Sequence, residues 1–255
     1  MTELRTPAEI EQMRPAGRFV ADVLRTLEDE VAPGTNLLDI DARARQMIRD
    51  AGATSCYVDY APAFGRGPFG RVICTSVNDA VLHGLPHDYP LAAGDLLTLD
   101  FAVSVQGWVA DSAVTFVVGG DGTEEDQHLI ATTTRALDAA IEVAVVGNRL
   151  GDVSATIGAV VREAGFEANT DFGGHGVGRT MHEEPHVPND GSPHRGLPLR
   201  PGLVIAIEPW VMAGTARLVV DPDGWTLRSA NGRRTAHSEH TVAVTADGPL
   251  VLTAR

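Results

Sequence analysis

The sequence of 255 residues contains no lysine, and all 20 of its basic residues are arginine. Schiff-base chemistry, the anchoring of pyridoxal phosphate and the lysine of a phosphate-binding loop are therefore excluded. The 34 acidic residues outnumber the arginines and give a formal net charge of −14. Because nucleic acids are bound through clustered cations, this balance argues against a nucleic-acid partner.

Cysteines and long apolar runs are also scarce. Cys56 and Cys74 are too few for a disulfide framework, so we expect two reduced thiols. No apolar run approaches the roughly 20 residues of a membrane helix, and the first residues are too polar for a secretory signal. These features predict a cytoplasmic protein that does not bind membranes.

Hydrophobic periodicity predicts two pairs of helices separated by extended segments. The helices are expected from Pro7 to about Pro33, from Leu37 to Gly52, from Glu124 to Val145 and from Asp152 to Ala164. Short strands or loops are expected at 72–76 and 81–85. A hairpin is expected over 96–118, with its turn at Gln106-Gly107.

The second half of the sequence repeats the pattern of the first. In each half a helical pair is followed by an apolar strand that ends in a carboxylate, Asp100 in the first and Glu208 in the second. Asp111 and Glu239 each then begin a further strand. The repeat predicts an α+β fold with a pseudo-two-fold antiparallel sheet covered by helices.

The four repeated carboxylates are expected to share one site. If Asp100 and Asp111 flank the hairpin turn, they are opposite or diagonal neighbours on one sheet face, about 5 to 8 Å apart. Buried like charges require protons or metal ions as compensation. We therefore predict two divalent ions, about 3.5 to 4 Å apart, that activate a water. A surface or ion-paired role is the alternative for each carboxylate taken singly.

Histidines supply further donors. His175 lies in a glycine-rich stretch at 173–178, where the small residues would let backbone and substrate approach closely. The glycine spacing disfavours a dinucleotide-binding loop. Residues 182–186 match the zinc-protease motif H-E-x-x-H, but Pro185 opposes the helix that this motif requires. His182 is therefore expected in an extended or loop segment facing the site, and His186 in a structural role.

Together these motifs resemble those of type I methionine aminopeptidases, compact members of the pita-bread family. Matching segments occur in family order at 77–84, 174–178, 182–185, 207–209 and 239–241. The resemblance implies a pita-bread fold and a single catalytic metallo-aminopeptidase domain over residues 1–255. It also implies removal of the N-terminal methionine from nascent proteins whose second residue is small.

The resemblance implies metal ligands at Asp100, Asp111, His175, Glu208 and Glu239, with Asp111 and Glu239 bridging two ions. One histidine and four carboxylates suit manganese or iron better than a thiolate site would, while cobalt and zinc stay open. Glu208 is also expected to accept a proton from the attacking water, because a carboxylate can hold a metal through one oxygen and a proton on the other.

Substrate contacts are implied as well. The resemblance assigns His83 and His182 to the substrate and its scissile amide, and Cys74, Met181 and Trp225 to the methionine pocket. A monovalent cation is implied near Asn78, Ala80 and Thr235. The expected partners are peptide and nascent polypeptide N-termini, with a ribosome contact left open and a monomeric state predicted.

The pocket departs from the family pattern. The family's tyrosine pair before the Asn78-Asp79 motif is replaced by the segment 64–69, Met181 stands where phenylalanine is usual, and Leu82 stands where cysteine is usual. A paralogue with a shifted N-terminal preference therefore stays an alternative. An X-Pro hydrolase is less favoured, because such relatives carry an extra N-terminal domain, and a non-catalytic binding module would be expected to lose ligands.

Overall fold

The computed structural model describes residues 2–62 and 66–254 of the chain. Its helices are α1 (Pro7–Glu30), α2 (Leu37–Ala51), α3 (Glu124–Glu142) and α4 (Leu150–Glu163). Its strands are β1 (Thr54–Ser55), β2 (Cys74–Val77), β3 (Ala80–Leu82), β4 (Leu96–Val105), β5 (Trp108–Val117), β6 (Glu167–Ala168), β7 (Gly173–Gly176), β8 (Glu183–Pro188), β9 (Val204–Ile207), β10 (Trp210–Met212), β11 (Leu218–Val220), β12 (Leu227–Ser229), β13 (Thr235–His237), β14 (Glu239–Thr245) and β15 (Gly248–Val251).

The four predicted helices are confirmed, and local capping explains where they begin. Thr6 and Glu9 form a reciprocal capping box at the start of α1, and the Asn36 side chain accepts a hydrogen bond from the backbone at the start of α2. Gly52 ends α2 in the left-handed conformation, with φ of 62°. The first and third helices end about three residues earlier than periodicity predicted.

The predicted hairpin is also confirmed. Strands β4 and β5 pair antiparallel along their whole length, from Leu96 opposite Val117 to Val105 opposite Trp108. Gln106 and Gly107 both have positive φ, 52° and 78°, as the tight turn of a two-residue hairpin requires. Asp100 and Asp111 therefore lie inside long strands rather than at strand ends.

The main sheet has nine strands within the described residues, and its core order is β1-β4-β5-β14-β9-β7-β8. Helices α1 and α2 pack on the β4 side, and helices α3 and α4 pack on the side of β9 and β14. Each half thus has its own apolar core formed by a helical pair and a strand pair. This arrangement agrees with the predicted pseudo-two-fold α+β fold.

The two halves meet at a short seam between β5 and β14. Glu239 lies opposite Ala113, and His240 lies opposite Ser112. The Ser112 hydroxyl donates to the carbonyl oxygen of Glu239 at 2.5 Å. The Thr241 hydroxyl accepts from the Asp111 amide and donates to the Asp111 carbonyl, at 2.9 and 2.8 Å. These buried hydroxyls fix β5 and β14 relative to one another where the backbone ladder is short.

The scarcity of cysteine and of long apolar runs led to two expectations that the structure addresses. Both cysteines are free thiols, as predicted. Among the described helices, none combines the length and apolar character that crossing a membrane requires.

Candidate metal centre and substrate pocket

Four strands align three of the predicted site residues in one row. Cys74 lies opposite Asp100, Asp100 lies opposite Ala113, and Ala113 lies opposite Glu239. Directly opposed residues of antiparallel strands face the same side of a sheet, and so does Asp111, two residues from Ala113. The two hairpin aspartates are therefore diagonal neighbours, one of the two predicted arrangements. The small Ala113 side chain leaves space between the carboxylates.

Glu208 and His175 complete the cluster from the second half of the chain. Glu208 directly follows β9, and His175 lies in the neighbouring strand β7. The Nε2 atom of His175 is 3.5 Å from Glu208 Oε1 and 3.9 Å from Asp111 Oδ2. The structure thus brings together all five residues for which the sequence predicted metal binding.

Glycine is required around His175 for a different reason from the predicted one. A Cβ atom at Gly174 would overlap the backbone carbonyl of Ala206, and one at Gly176 would overlap that of Glu184. Strand β7 lies between β8 and β9, and glycine is needed for this close packing rather than for substrate access. The dinucleotide alternative is wrong, because Gly173, Gly174 and Gly176 lie in a strand rather than in a loop. The zinc-protease helix is also absent, since 183–188 form strand β8.

The hydrogen bond of His175 leaves one ring nitrogen available. Its Nδ1 atom lies 3.0 Å from the carbonyl oxygen of Gly176, so Nδ1 carries the proton and donates it. The Nε2 lone pair then points toward Asp111 and Glu208. A backbone carbonyl that fixes the second imidazole nitrogen in this way is typical of metal-binding histidines.

The four carboxylates are buried and repel one another. Burial raises the pKa of Glu208 to about 8, with a further contribution from Asp100. Burial raises the pKa of Asp100 to about 6, although Tyr57 and Cys74 donate to that carboxylate. Burial, followed by the neighbouring carboxylates, raises the pKa values of Asp111 and Glu239 well above their usual range.

The donor set fits divalent metal binding. Ligand atoms of Asp111, His175 and Glu239 all lie within 4.8 Å of one another. Glu239 Oε1 is buried without a hydrogen-bond partner in the described chain, and the ion pairs of these four carboxylates there involve histidines rather than arginines. Divalent ions would supply the compensating positive charge that the protein itself lacks at this site.

Tyr57 is a site residue that the sequence analysis missed. Its buried hydroxyl donates to Asp100 Oδ1 at 2.6 Å and lies 3.4 Å from Asp111 Oδ1. The tyrosine follows β1 and reaches the sheet face only through tertiary packing, so periodicity gave no signal for it. It orients the Asp100 carboxylate from the pocket side.

Trp210 was also missed, although it lies only two residues after Glu208 in the chain. Its indole Nε1–H donates to Glu208 Oε2 at 2.7 Å, and the ring is buried. The ring also stacks on Phe172 with centroids 5.1 Å apart. Glu208 is thereby held with one oxygen on the indole and the other toward His175.

A cavity of 320 Å³ lies directly beside the carboxylates. The three predicted pocket residues Cys74, Met181 and Trp225 all line it. The other large apolar or aromatic side chains in its wall are Tyr57, Tyr60, Phe69, Leu82, Phe172 and Trp210. The cavity is therefore apolar at one end and carboxylate-rich at the other.

Two aromatic rings near Trp225 form a pocket wall that was not predicted from the sequence. Tyr60 and Phe69 lie 6.3 and 5.1 Å from Trp225, measured between ring centroids. Tyr60, which precedes the segment 64–69, was not among the predicted pocket residues. Within that segment, Phe64 and Gly65 lie outside the described residues. The aromatic wall is present, formed by residues nine positions apart in the chain.

The two predicted substrate histidines flank this cavity. His83 is partly buried and has a positive φ of 54°, and its ring contacts Phe172, Trp210 and Trp225 edge-on. His182 is exposed at the cavity wall, with its ring 4.3 Å from that of His175. His186, expected to be structural, is also exposed and lines the cavity.

The residues of the implied monovalent cation site also converge. Asn78 has a positive φ of 59°, and its carbonyl oxygen accepts from both the amide and the hydroxyl of Thr235, at 3.0 and 3.3 Å. Ala80 begins β3 two residues later.

Comparison with known proteins identifies the relatives of this chain. The model of metallopeptidase family M24 matches residues 11–246. Methionine aminopeptidase of Aquifex aeolicus is 40% identical over 254 residues, which cover 98% of both chains. Methionine aminopeptidase 1 of Mycobacterium tuberculosis is 43% identical over 256 residues, which cover 98% of this chain and 94% of that protein.

Solved structures give the same result for the fold. The crystal structure of methionine aminopeptidase from Thermotoga maritima superposes with a TM-score of 0.95 at 38% identity, and each chain is covered completely. The prolidase of Pyrococcus horikoshii, at 21% identity, has a TM-score of 0.75 over 98% of this chain and 63% of its own. The predicted pita-bread fold is confirmed.

Replacing Tyr57 by phenylalanine is expected to weaken metal binding about tenfold or more, because it removes the hydrogen bond that orients Asp100. Calorimetric titration of metal-free protein with Mn²⁺ or Co²⁺ measures this. Tyr60→Phe is the matched control, since Tyr60 lies in the same pocket wall and makes no described hydrogen bond to a site carboxylate. An unchanged affinity in Tyr57→Phe would contradict the assignment.

Deprotonation of Glu208 alone is expected to lower the stability of the metal-free protein by about 1 to 2 kcal/mol between pH 7 and 9, and Asp111 and Glu239, whose pKa values are also raised, add to this fall. Folded Glu208, with a pKa of about 8, keeps a proton that the unfolded chain releases near pH 4.5, so stability is lost as pH rises through the folded pKa. Buried histidines act in the opposite direction only below about pH 7, where unfolded histidine titrates.

Chemical denaturation at several pH values measures this dependence. Glu208→Gln should remove the share of the decline that belongs to Glu208, about 1 to 2 kcal/mol, and metal-loaded protein should show little decline because its carboxylates stay ionised. A metal-free protein equally stable at pH 7 and 9 would show that Glu208 is not protonated when folded.

Proposed function

This chain belongs to metallopeptidase family M24, and on that basis we propose that it is a methionine aminopeptidase. Such an enzyme hydrolyses the peptide bond after the N-terminal methionine of a polypeptide. The observation that carries the proposal is similarity to methionine aminopeptidases along nearly the whole chain, combined with a cavity that joins an apolar wall to five potential metal ligands. The preferred second residue is proposed to be small.

Membership of a metallopeptidase family implies a divalent metal cofactor. We propose two ions, held by Asp100, Asp111, His175, Glu208 and Glu239, with Asp111 and Glu239 shared between them. The position of Asp111 on β5 and Glu239 on β14 supports this sharing, because the seam places both on one face. The metal is proposed to be manganese, iron, cobalt or zinc. Bound ions would polarise the scissile carbonyl and lower the pKa of a bound water.

The protein groups around the scissile bond have separate roles in this proposal. Glu208 accepts the proton of the attacking water, because its carboxylate is buried among the proposed ligands, with Oε1 3.5 Å from His175 Nε2. His182, exposed beside His175, donates a hydrogen bond to the carbonyl oxygen as negative charge develops there. His83, which also lines the cavity, binds the substrate nitrogen or helps to protonate the leaving amine.

The pocket favours an unbranched apolar side chain. Met181, Cys74 and Trp225 offer soft and aromatic surface, with which a thioether makes favourable contacts. Tyr60 and Phe69 provide a second aromatic wall. A paralogue with a shifted preference stays the second candidate, favoured by Met181 and Leu82 at positions where the family usually has other residues.

The remaining assignments are proposals of smaller scope. We propose one catalytic domain over residues 1–255, because both halves contribute site residues, and a monovalent cation near Asn78, Ala80 and Thr235. The cytoplasm as location, a monomeric state and a contact with the ribosome stay predictions. Nascent polypeptide N-termini are the proposed natural substrates.

The proposal predicts hydrolysis of Met-Ala-Ser by metal-supplemented protein, with much slower hydrolysis of Met-Lys-Ser because its second residue is large. Release of the first amino acid, followed by chromatography, measures both rates. Leu-Ala-Ser and Ala-Pro-Ser serve as controls for the first-residue pocket and for X-Pro activity. Comparable rates for the leucine and methionine peptides would favour the paralogue, and no release of methionine would refute the proposal.

His182→Ala is expected to lower kcat by about a hundredfold or more, the scale for loss of an oxyanion donor. Its metal content should stay unchanged, because His182 is not among the proposed ligands. His186→Ala, which removes a second exposed imidazole from the same cavity, should keep most of the activity. Full activity or a lost metal ion in His182→Ala would rule out the assigned role.

A further inference from the structure

His237 is a buried residue that the proposed mechanism does not use. Its side chain is completely excluded from solvent, and neither ring nitrogen has a hydrogen-bond partner in the described part of the chain. Buried imidazoles normally satisfy at least one nitrogen. An unpartnered imidazole at this position therefore indicates a ligand that protein atoms do not provide.

The backbone of His237 is fixed firmly. Its amide donates to the Thr115 hydroxyl at 3.0 Å, and that hydroxyl lies 2.7 Å from the His237 carbonyl oxygen. On strand β13 the residue lies opposite Trp210, and the two rings are 6.0 Å apart. The direction of the imidazole is thus set by strand pairing and packing.

The Nε2 atom faces two of the site carboxylates. It lies 3.7 Å from Glu208 Oε2 and 3.8 Å from Glu239 Oε2. Both distances are too long for hydrogen bonds. They match the separation of about 3 to 4 Å between atoms that coordinate one ion at about 2.1 Å each. The three ligand atoms lie within 4.8 Å of one another.

This position differs from the one beside His175. His175 Nε2 lies 3.5 Å from Glu208 Oε1, whereas His237 faces Oε2 of the same carboxylate. The Trp210 indole also donates to Oε2, but a carboxylate oxygen has two lone pairs and can accept both partners. Glu208 therefore presents one oxygen to each histidine.

We propose that His237, Glu208 and Glu239 hold a further divalent metal ion, additional to the two ions of the proposed aminopeptidase centre. The inference rests on the proposed function only in sharing Glu208 and Glu239 with that centre. One imidazole nitrogen and two carboxylate oxygens favour zinc, cobalt or iron over magnesium or calcium. His237 is the ligand specific to this position.

The test is proton NMR of the full-length protein loaded with Co²⁺. A histidine bound to Co²⁺ gives a strongly shifted, solvent-exchangeable signal from its other ring N–H. The wild-type protein should show two such signals, one from His175 and one from His237. His237→Gln should lose one signal and bind one Co²⁺ fewer per chain, whereas His182→Gln, which removes another imidazole beside the centre, should keep both.

A single shifted signal in the wild-type protein would overturn the proposal, as would two signals that persist in His237→Gln. If that variant does not fold, the number of shifted signals and of bound Co²⁺ ions in the wild-type protein, together with the result for His182→Gln, decides the question. Failure of the aminopeptidase proposal appears separately, as loss of the His175 signal or as no release of methionine from Met-Ala-Ser.

Discussion

The site depends on one electrostatic constraint, the burial of four carboxylates in a single cavity. Asp100, Asp111, Glu208 and Glu239 are each at most 5% exposed. Hydrogen bonds from Tyr57 and Trp210 offset only part of the cost of their burial. The protein alone can hold the cluster only by retaining protons, so cations and protons compete for the same oxygens. Metal binding and folding stability are therefore linked properties of this chain.

The seam between the two halves determines whether this cluster forms. Asp111 comes from the first half and Glu239 from the second, and the strands that carry them share only two opposed residue pairs. Ser112 and Thr241 add hydroxyl bridges across the same junction. The halves contribute separate apolar cores, whereas the carboxylates lie where those cores meet. A small displacement at the seam would change the site before it changed either core.

The structural elements that depend on local sequence pattern, the hairpin and the helices, were predicted correctly. The β4–β5 hairpin followed from alternating apolar residues around Gln106-Gly107, and the four helices followed from periodicity. Repetition of carboxylates after apolar strands led to the four carboxylates of the cluster, and His175 was predicted from its glycine-rich stretch and from the family resemblance. Tyr57 was beyond prediction because it reaches the site from a distant part of the chain, whereas Trp210 and His237 lie only two residues from Glu208 and Glu239 and were overlooked as neighbours of predicted ligands. The glycines beside His175 were noticed but misinterpreted, since only the structure reveals the carbonyls packed against them.

The hydrogen bond from Trp210 to Glu208 has a spectroscopic consequence. Indole emission depends on nearby charge, and this indole lies one hydrogen bond from a carboxylate of the cluster. Of the two other tryptophans, Trp225 lines the cavity, and Trp108 bonds instead to Gln12. The protein thus carries an intrinsic fluorophore that senses the ionic state of its centre, so occupancy can be followed optically without an added label or a chromogenic substrate.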